Sequence, residues 1–156
     1  MLWSAITYAG VGWMCKIDGK MDQHLYHDIL RDELEKTIED NLDDLGLKRE
    51  QIVFQQDNDP KHTSKLVKQY LSEQSYEVMA WPAQSPDLNP IENMWSLLKR
   101  KLNDYETAPK GMNELYERVV DIWYYQIKKE ECQNVIESMP RRIQACIKAK
   151  GKWTKY

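Results

Sequence analysis

Two carboxylates in this chain sit where chemistry is done. Asp57 follows the apolar run Ile52-Val53-Phe54 through Gln55-Gln56, and Glu92 follows Asn89-Pro90-Ile91, with 34 residues between the two. Converging carboxylates can hold two divalent ions about 3.5–4 Å apart, one activating an attacking oxygen and one stabilising the leaving oxygen of a phosphodiester. Magnesium suits that work, being a hard ion that takes a few carboxylates and keeps its waters. Without a cation, two close carboxylates repel and one takes up a proton. Each also has a plain structural reading. Asp57 can brace the turn before Pro60, and Glu92 stands three residues after Asn89, the spacing of a capping box. The residues alone leave both readings open.

The neighbours of these carboxylates are equally two-sided. His62 reads as a base, a phosphate contact or a solvated first-turn histidine, and Asn58 either orients Asp57 or turns the chain. The loop Ser85 to Asn89 can approach DNA or simply position Glu92. Trp81, Trp95 and Trp123 can stack on bases, although tryptophans on amphipathic elements more often fill a core. His24 and His27, three apart, lack a third metal ligand. Cys15, Cys132 and Cys146 have no ligand spacing and read as reduced thiols of an intracellular protein.

These side chains need a scaffold, and the flanking pattern supplies one. Ile52 to Gln56 reads as a buried strand, with Asp59 and Pro60 capping and starting a helix through Gln74. Glu77 to Trp81 reads as a second strand. Three prolines make Pro82 to Pro90 an ordered loop, after which Asn89 and Pro90 start a helix with the stripe Ile91, Met94, Trp95, Leu98 and Leu102. Upstream, Leu2 to Tyr8 and Val11 to Ile17 form a hairpin about Ala9-Gly10, and Asp22 caps a helix carrying Leu25, Tyr26, Ile29, Leu30, Leu34 and Ile38. Downstream, Leu115, Val119, Ile122 and Trp123 mark one helix. Cys132, Val135, Ile136 and Met139 mark a shorter one, and a basic helix runs from Pro140 until Gly151 ends it. The sum is an α/β pattern with a helical C-terminus.

Composition bounds the function. A chain of 156 residues with 42% hydrophobic side chains folds around one core. The net charge of −3 speaks against a self-sufficient nucleic-acid binder. The charge is uneven, however: Arg141 to Lys155 holds six basic residues and no acidic one. Such an end, with Arg141 and Arg142, can follow a phosphate backbone, or be a solvated helix and tail. Residues 1–15 carry no charge, yet they lack a basic n-region and are too short to span a bilayer. We expect neither a signal peptide nor a membrane segment.

The strings Phe54 to Thr63, Trp81 to Trp95 and Met139-Pro140-Arg141-Arg142-Ile143-Gln144-Ala145, with Lys148 to Gly151, resemble the catalytic core of the Tc/mariner superfamily of DDE transposases. The branch is the one whose last two acidic residues stand 34 residues apart, and the resemblance covers essentially all of residues 1–156 as a single partial catalytic domain: hairpin 2–17, core 51–102, helical part 111–150. It implies a ribonuclease-H-like fold and cut-and-paste DNA transposition, with hydrolysis at the transposon ends and joining to a TA target. It also implies Mg2+, or Mn2+, held by three acidic residues, of which Asp57 and Glu92 match the second and third. Asn58, His62, Asn89, Arg141 and Arg142 become candidates for DNA contact or site support.

The first acid normally lies on the fold's opening, central strand, before the region that matches Leu2 to Ser4, and Asp18, Asp22 and Asp28 are no substitutes. The resemblance therefore reads the chain as N-terminally truncated at Met1, with a marginal or rearranged sheet and no activity alone. Partners implied are DNA and a second copy or a full-length transposase, in the nucleus or elsewhere inside the cell. Two rivals are a non-catalytic DNA- or transposase-binding module and a transposon remnant without selected function.

Overall fold

The computed structural model describes residues 1–82, 85–151 and 154. They divide into two compact units, Met1–Ala5 with Gly12–Ser85, and Ile6–Val11 with the residues from Pro86 onward.

The chain begins with a hairpin of β1 (Leu2–Thr7) and β2 (Gly10–Lys16), of which Met1–Ala5 and the residues from Gly12 belong to the first unit. Its turn is Tyr8-Ala9 rather than Ala9-Gly10, because Gly10, with φ of 142°, already opens the second strand. Reciprocal bonds between Met1 and Ile17 (3.0 and 2.8 Å) close its far end. Asp22 then caps α1 (Gln23–Ile29), its carboxylate accepting from the His24 and Leu25 amides, each at 2.9 Å. The helix runs on through a π turn (Leu30–Leu34) into α2 (Glu35–Leu45), ending at left-handed Gly46. Its stripe of Tyr26, Leu30, Leu34 and Ile38 forms the core with Phe54, Val67, Leu71 and Tyr76. Each such aliphatic side chain contributes about 1.5–3 kcal/mol by leaving water.

β3 (Val53–Phe54) and β4 (Glu77–Val78) pair in parallel, Val53 opposite Glu77, joined by α3 (Lys65–Ser72). Three expectations are corrected here. The strands are two residues long rather than five. Val53 is 47% exposed, so β3 is buried on one face only. The helix starts at Lys65, capped by the Ser64 hydroxyl at the Val67 amide, because residues Pro60 to Thr63 form a separate turn closed on the Asp59 carbonyl. Among the described residues the two ribbons, β1-β2 and β3-β4, share no ladder.

Gly12 shows how tightly the hairpin lies on the helix. A Cβ there would meet Thr37 Cγ2 at 2.5 Å and Oγ1 at 2.7 Å. Thr37 cannot swing aside, since its hydroxyl accepts from the Trp13 amide (2.9 Å) and donates to the Glu33 carbonyl (2.8 Å). Gly12→Ala should therefore cost about 1–3 kcal/mol in urea unfolding. An unchanged midpoint would mean that the hairpin rides loosely on α2.

The second unit is helical: a 3₁₀ turn (Pro86–Leu88), α4 (Pro90–Asn103), α5 (Met112–Asp121) with a π turn (Ile122–Gln126), α6 (Lys129–Glu137) and α7 (Met139–Lys148). Asn89 precedes Pro90 at the start of α4 as expected, but its side chain makes no capping bond. Met94, Leu98, Val119, Ile122, Trp123 and Cys132 are buried in this unit. Burial pushes the Cys132 thiol up to about 11, which suits a packing group rather than a reactive one. No helix among the described residues is long and apolar enough to cross a membrane.

Candidate active site

Asp57 lies three residues past β3, and the turn after it folds back onto its carboxylate. Oδ1 accepts from the Asp59 amide at 3.1 Å and lies 2.6 Å from His62 Nδ1. The bracing role is thus real, but it occupies one oxygen. Among the described residues Oδ2 has no hydrogen bond, and the side chain is 54% exposed.

His62 is not the solvated first-turn histidine of one sequence reading. Its side chain is 14% exposed and stacks on Tyr26 with centroids 3.9 Å apart. Tyr26 Oη donates to Gln56 Oε1 at 2.6 Å, and Gln56 Nε2 donates to the His62 carbonyl at 3.4 Å. Burial pushes the imidazole below its ordinary value, outweighing the pull of Asp57. A neutral ring carries its proton on Nδ1 and donates it to Asp57. Nε2 is the one buried side-chain nitrogen or oxygen among the described residues without a hydrogen-bond partner. Sequence reasoning missed Tyr26 and Gln56 as parts of this site. Tyr26 stands on an apolar stripe and Gln56 in a strand pattern, so neither carries a local signal.

Asn58 ties the ends of the two parallel strands together, its Nδ2 donating to the Trp81 carbonyl at 2.7 Å. Both alternatives for Asn58 placed its effect locally, whereas its bond reaches across the sheet end. Lys61 pairs with Asp59, whose carboxyl burial tends to raise but whose bonds to Lys61 hold it below the usual range.

Glu92 sits in the first turn of α4. Its amide donates to the Asn89 carbonyl at 3.2 Å and its own carbonyl accepts from Ser96 Oγ at 2.9 Å. The carboxylate is exposed and takes no hydrogen bond among the described residues, so the capping box suggested by the spacing is not formed. A helix N-terminus favours an anionic side chain in any case.

Arg141 is exposed on α7, but Arg142 is 2% exposed and donates from Nε to Ser138 Oγ at 2.7 Å. The Arg142 guanidinium is thus packed inside the protein rather than on its surface. Lys152 and Lys155 of the basic end, and Ala83 and Gln84 of the proline loop, lie outside the described residues. Trp123 is fully buried, a core residue, and half-buried Trp95 stacks on it at 5.0 Å. His24 is exposed, and His27 meets Tyr70 edge-on. Asp22 is spent on its cap, Asp28 faces Arg31, and Asp18 faces Lys16. No three His, Cys, Asp or Glu side chains among the described residues converge on one point. Taken singly, Asp57 in the first unit and Glu92 in the second each keep a carboxylate oxygen without a hydrogen bond among the described residues, and such oxygens are the donors a hard divalent ion takes.

Residues 1–113 match the DDE superfamily endonuclease family, and the chain belongs to it. Over all 156 residues the chain is 38% identical to the transposable element Tcb1 transposase of Caenorhabditis briggsae and 35% identical to the Tc1 transposase of Caenorhabditis elegans. It spans 54% of each, about half the length of these relatives. The solved catalytic domain of Mos1 mariner transposase superposes with a TM-score of 0.84 at 22% identity, covering 99% of this chain and 75% of that one. The fold is therefore the ribonuclease-H-like one expected from the sequence.

Proposed function

We propose that this chain is the catalytic segment of a Tc/mariner cut-and-paste transposase, with Asp57 and Glu92 as two of its metal ligands. The observation that carries the reading is that both acids keep unengaged carboxylate oxygens although each has a structural role close at hand. Mos1 transposase has been solved with Mg, with Mn and with a left transposon end, which supports a divalent ion and DNA as partners here. The ions, when bound, would activate an attacking oxygen and steady the leaving oxygen at a phosphodiester. The chain's own part is to hold ligands. His62 fixes one Asp57 oxygen and turns the other outward, Asn58 keeps the two strand ends together, and α4 offers Glu92 from its first turn.

Two acids do not make a two-ion site, since the bridging ligand has no candidate among the described residues. These residues alone should not nick DNA. The test is nicking of supercoiled plasmid with Mn2+ as the probe. The 156-residue chain should be silent. A chimera joining it to the parts of the Tcb1 transposase outside the matched stretch should nick in a metal-dependent way. Metal-independent nicking would overturn the metal-ligand reading, and a chimera that binds DNA in a salt-sensitive way without cutting would favour the non-catalytic binding module instead.

In that chimera, His62→Ala should lower nicking by about 10–100-fold, the usual cost of losing a group that orients a metal ligand. His62→Asn, which can still donate to Asp57, should recover part of it. Equal losses for both variants would show that the ring's packing on Tyr26 matters and its hydrogen bond does not.

A further inference from the structure

Arg142 is the only buried side chain of α7, and α7 packs on the Pro86–Leu88 turn. Burying a guanidinium is costly unless its donors find acceptors. One of its five donors goes to Ser138 Oγ, itself buried and anchored to the Val135 carbonyl at 2.6 Å. The turn facing α7 is a source of acceptors, because so short a 3₁₀ turn leaves carbonyls unused by its own amides. Leu88 in this turn is also buried.

What the turn controls is the start of α4. The Asn89 amide donates to the Pro86 carbonyl at 3.0 Å, and the Glu92 amide donates to the Asn89 carbonyl at 3.2 Å. These two linked bonds carry the turn's placement directly to Glu92. Pro90 adds a fixed φ between them. The side chains of Asn89 and Glu92 contribute no cap, so the helix start depends on its backbone and on what holds the turn.

We propose that Arg142 is a positioning residue for Glu92, acting from α7 through the Pro86–Leu88 turn. Its functional meaning rests on Glu92 being a metal ligand, but its geometry does not. A rigid five-donor fork suits the task better than the single ammonium of lysine. The buried position separates Arg142 from its exposed neighbour Arg141, although the two are adjacent in a basic run.

Amide hydrogen exchange on the intact chain tests this without metal or DNA, so failure here is distinct from failure of the metal reading. Arg142→Met keeps much of the volume and removes the donors; Arg142→Lys keeps the charge and removes the fork. Gln144→Ala, on an exposed position of the same helix, is the control. In both Arg142 variants the Asn89 and Glu92 amides should exchange at least tenfold faster, while those of Leu98 to Lys101 later in α4 keep their protection. Unchanged exchange at Asn89 and Glu92 overturns the proposal. A loss spread evenly over α4 to α7 also overturns it, since Arg142 would then be a general core group.

Discussion

Asp57→Asn or Glu92→Gln in the metal-dependent chimera should lower nicking by on the order of 10⁴-fold, as loss of one member of a catalytic unit does, while leaving the fold intact. The structure makes the split sharp. An asparagine oxygen at position 57 can still accept from the Asp59 amide and from His62, so the turn keeps both of its bonds. Glu92 lends no side-chain bond to its helix, so glutamine costs it only the helix-end charge effect, about 0.3–1 kcal/mol. What each variant removes is the negative charge that a divalent ion needs. Urea unfolding midpoints should therefore stay close to the parent while activity disappears. If either variant nicks at the parent rate, that acid is not a ligand. If the midpoint falls instead, the acid is there to hold its turn, and the structural reading was right.

Elements with a strong period or a cap were legible in the sequence. Asp22 before the stripe of Tyr26, Leu30, Leu34 and Ile38 announced its helix, and Asn89-Pro90 announced α4, because caps and 3.6-residue stripes are local signals. The shortness of β3 and β4 was not legible, since how far a strand runs depends on how much of its edge a neighbour covers. The late start of α3 was hidden because Asp59-Pro60 reads as a helix start, whereas the turn that closes on Asp59 leaves the cap to Ser64. At the site, Asp57 and Glu92 could be picked out by type and place, but only the resemblance favoured chemistry over bracing. The stack of His62 on Tyr26 joins residues 36 positions apart, and no local pattern encodes such a contact. Arg142 misled for the opposite reason. Its neighbours Arg141 and Ile143 are both exposed, and nothing in the sequence marks Arg142 as the one that turns inward.

That inward-facing pattern has its largest consequence at Trp123. The residue is fully buried in the π turn that packs on α4, and its ring stacks on Trp95 of α4 at 5.0 Å and 21°. Trp123→Ala should cost about 3–5 kcal/mol, of which about 0.5–1.5 kcal/mol is the aromatic stack itself. Against a typical total of about 5–15 kcal/mol, that loss brings the unit close to unfolding. Trp95→Ala, at a half-buried position, should lose less. The reading separates cleanly from stacking on DNA bases. A core tryptophan lowers the urea midpoint and leaves the DNA affinity of the folded fraction unchanged, whereas a base-stacking one does the reverse. The same ring sits under the stripe of α4 that carries Glu92 in its first turn, so destabilising it should also erode metal-dependent nicking, in step with the folded fraction. Activity falling faster than the folded fraction would mean that the stack steers Glu92 as well as holding its helix in place.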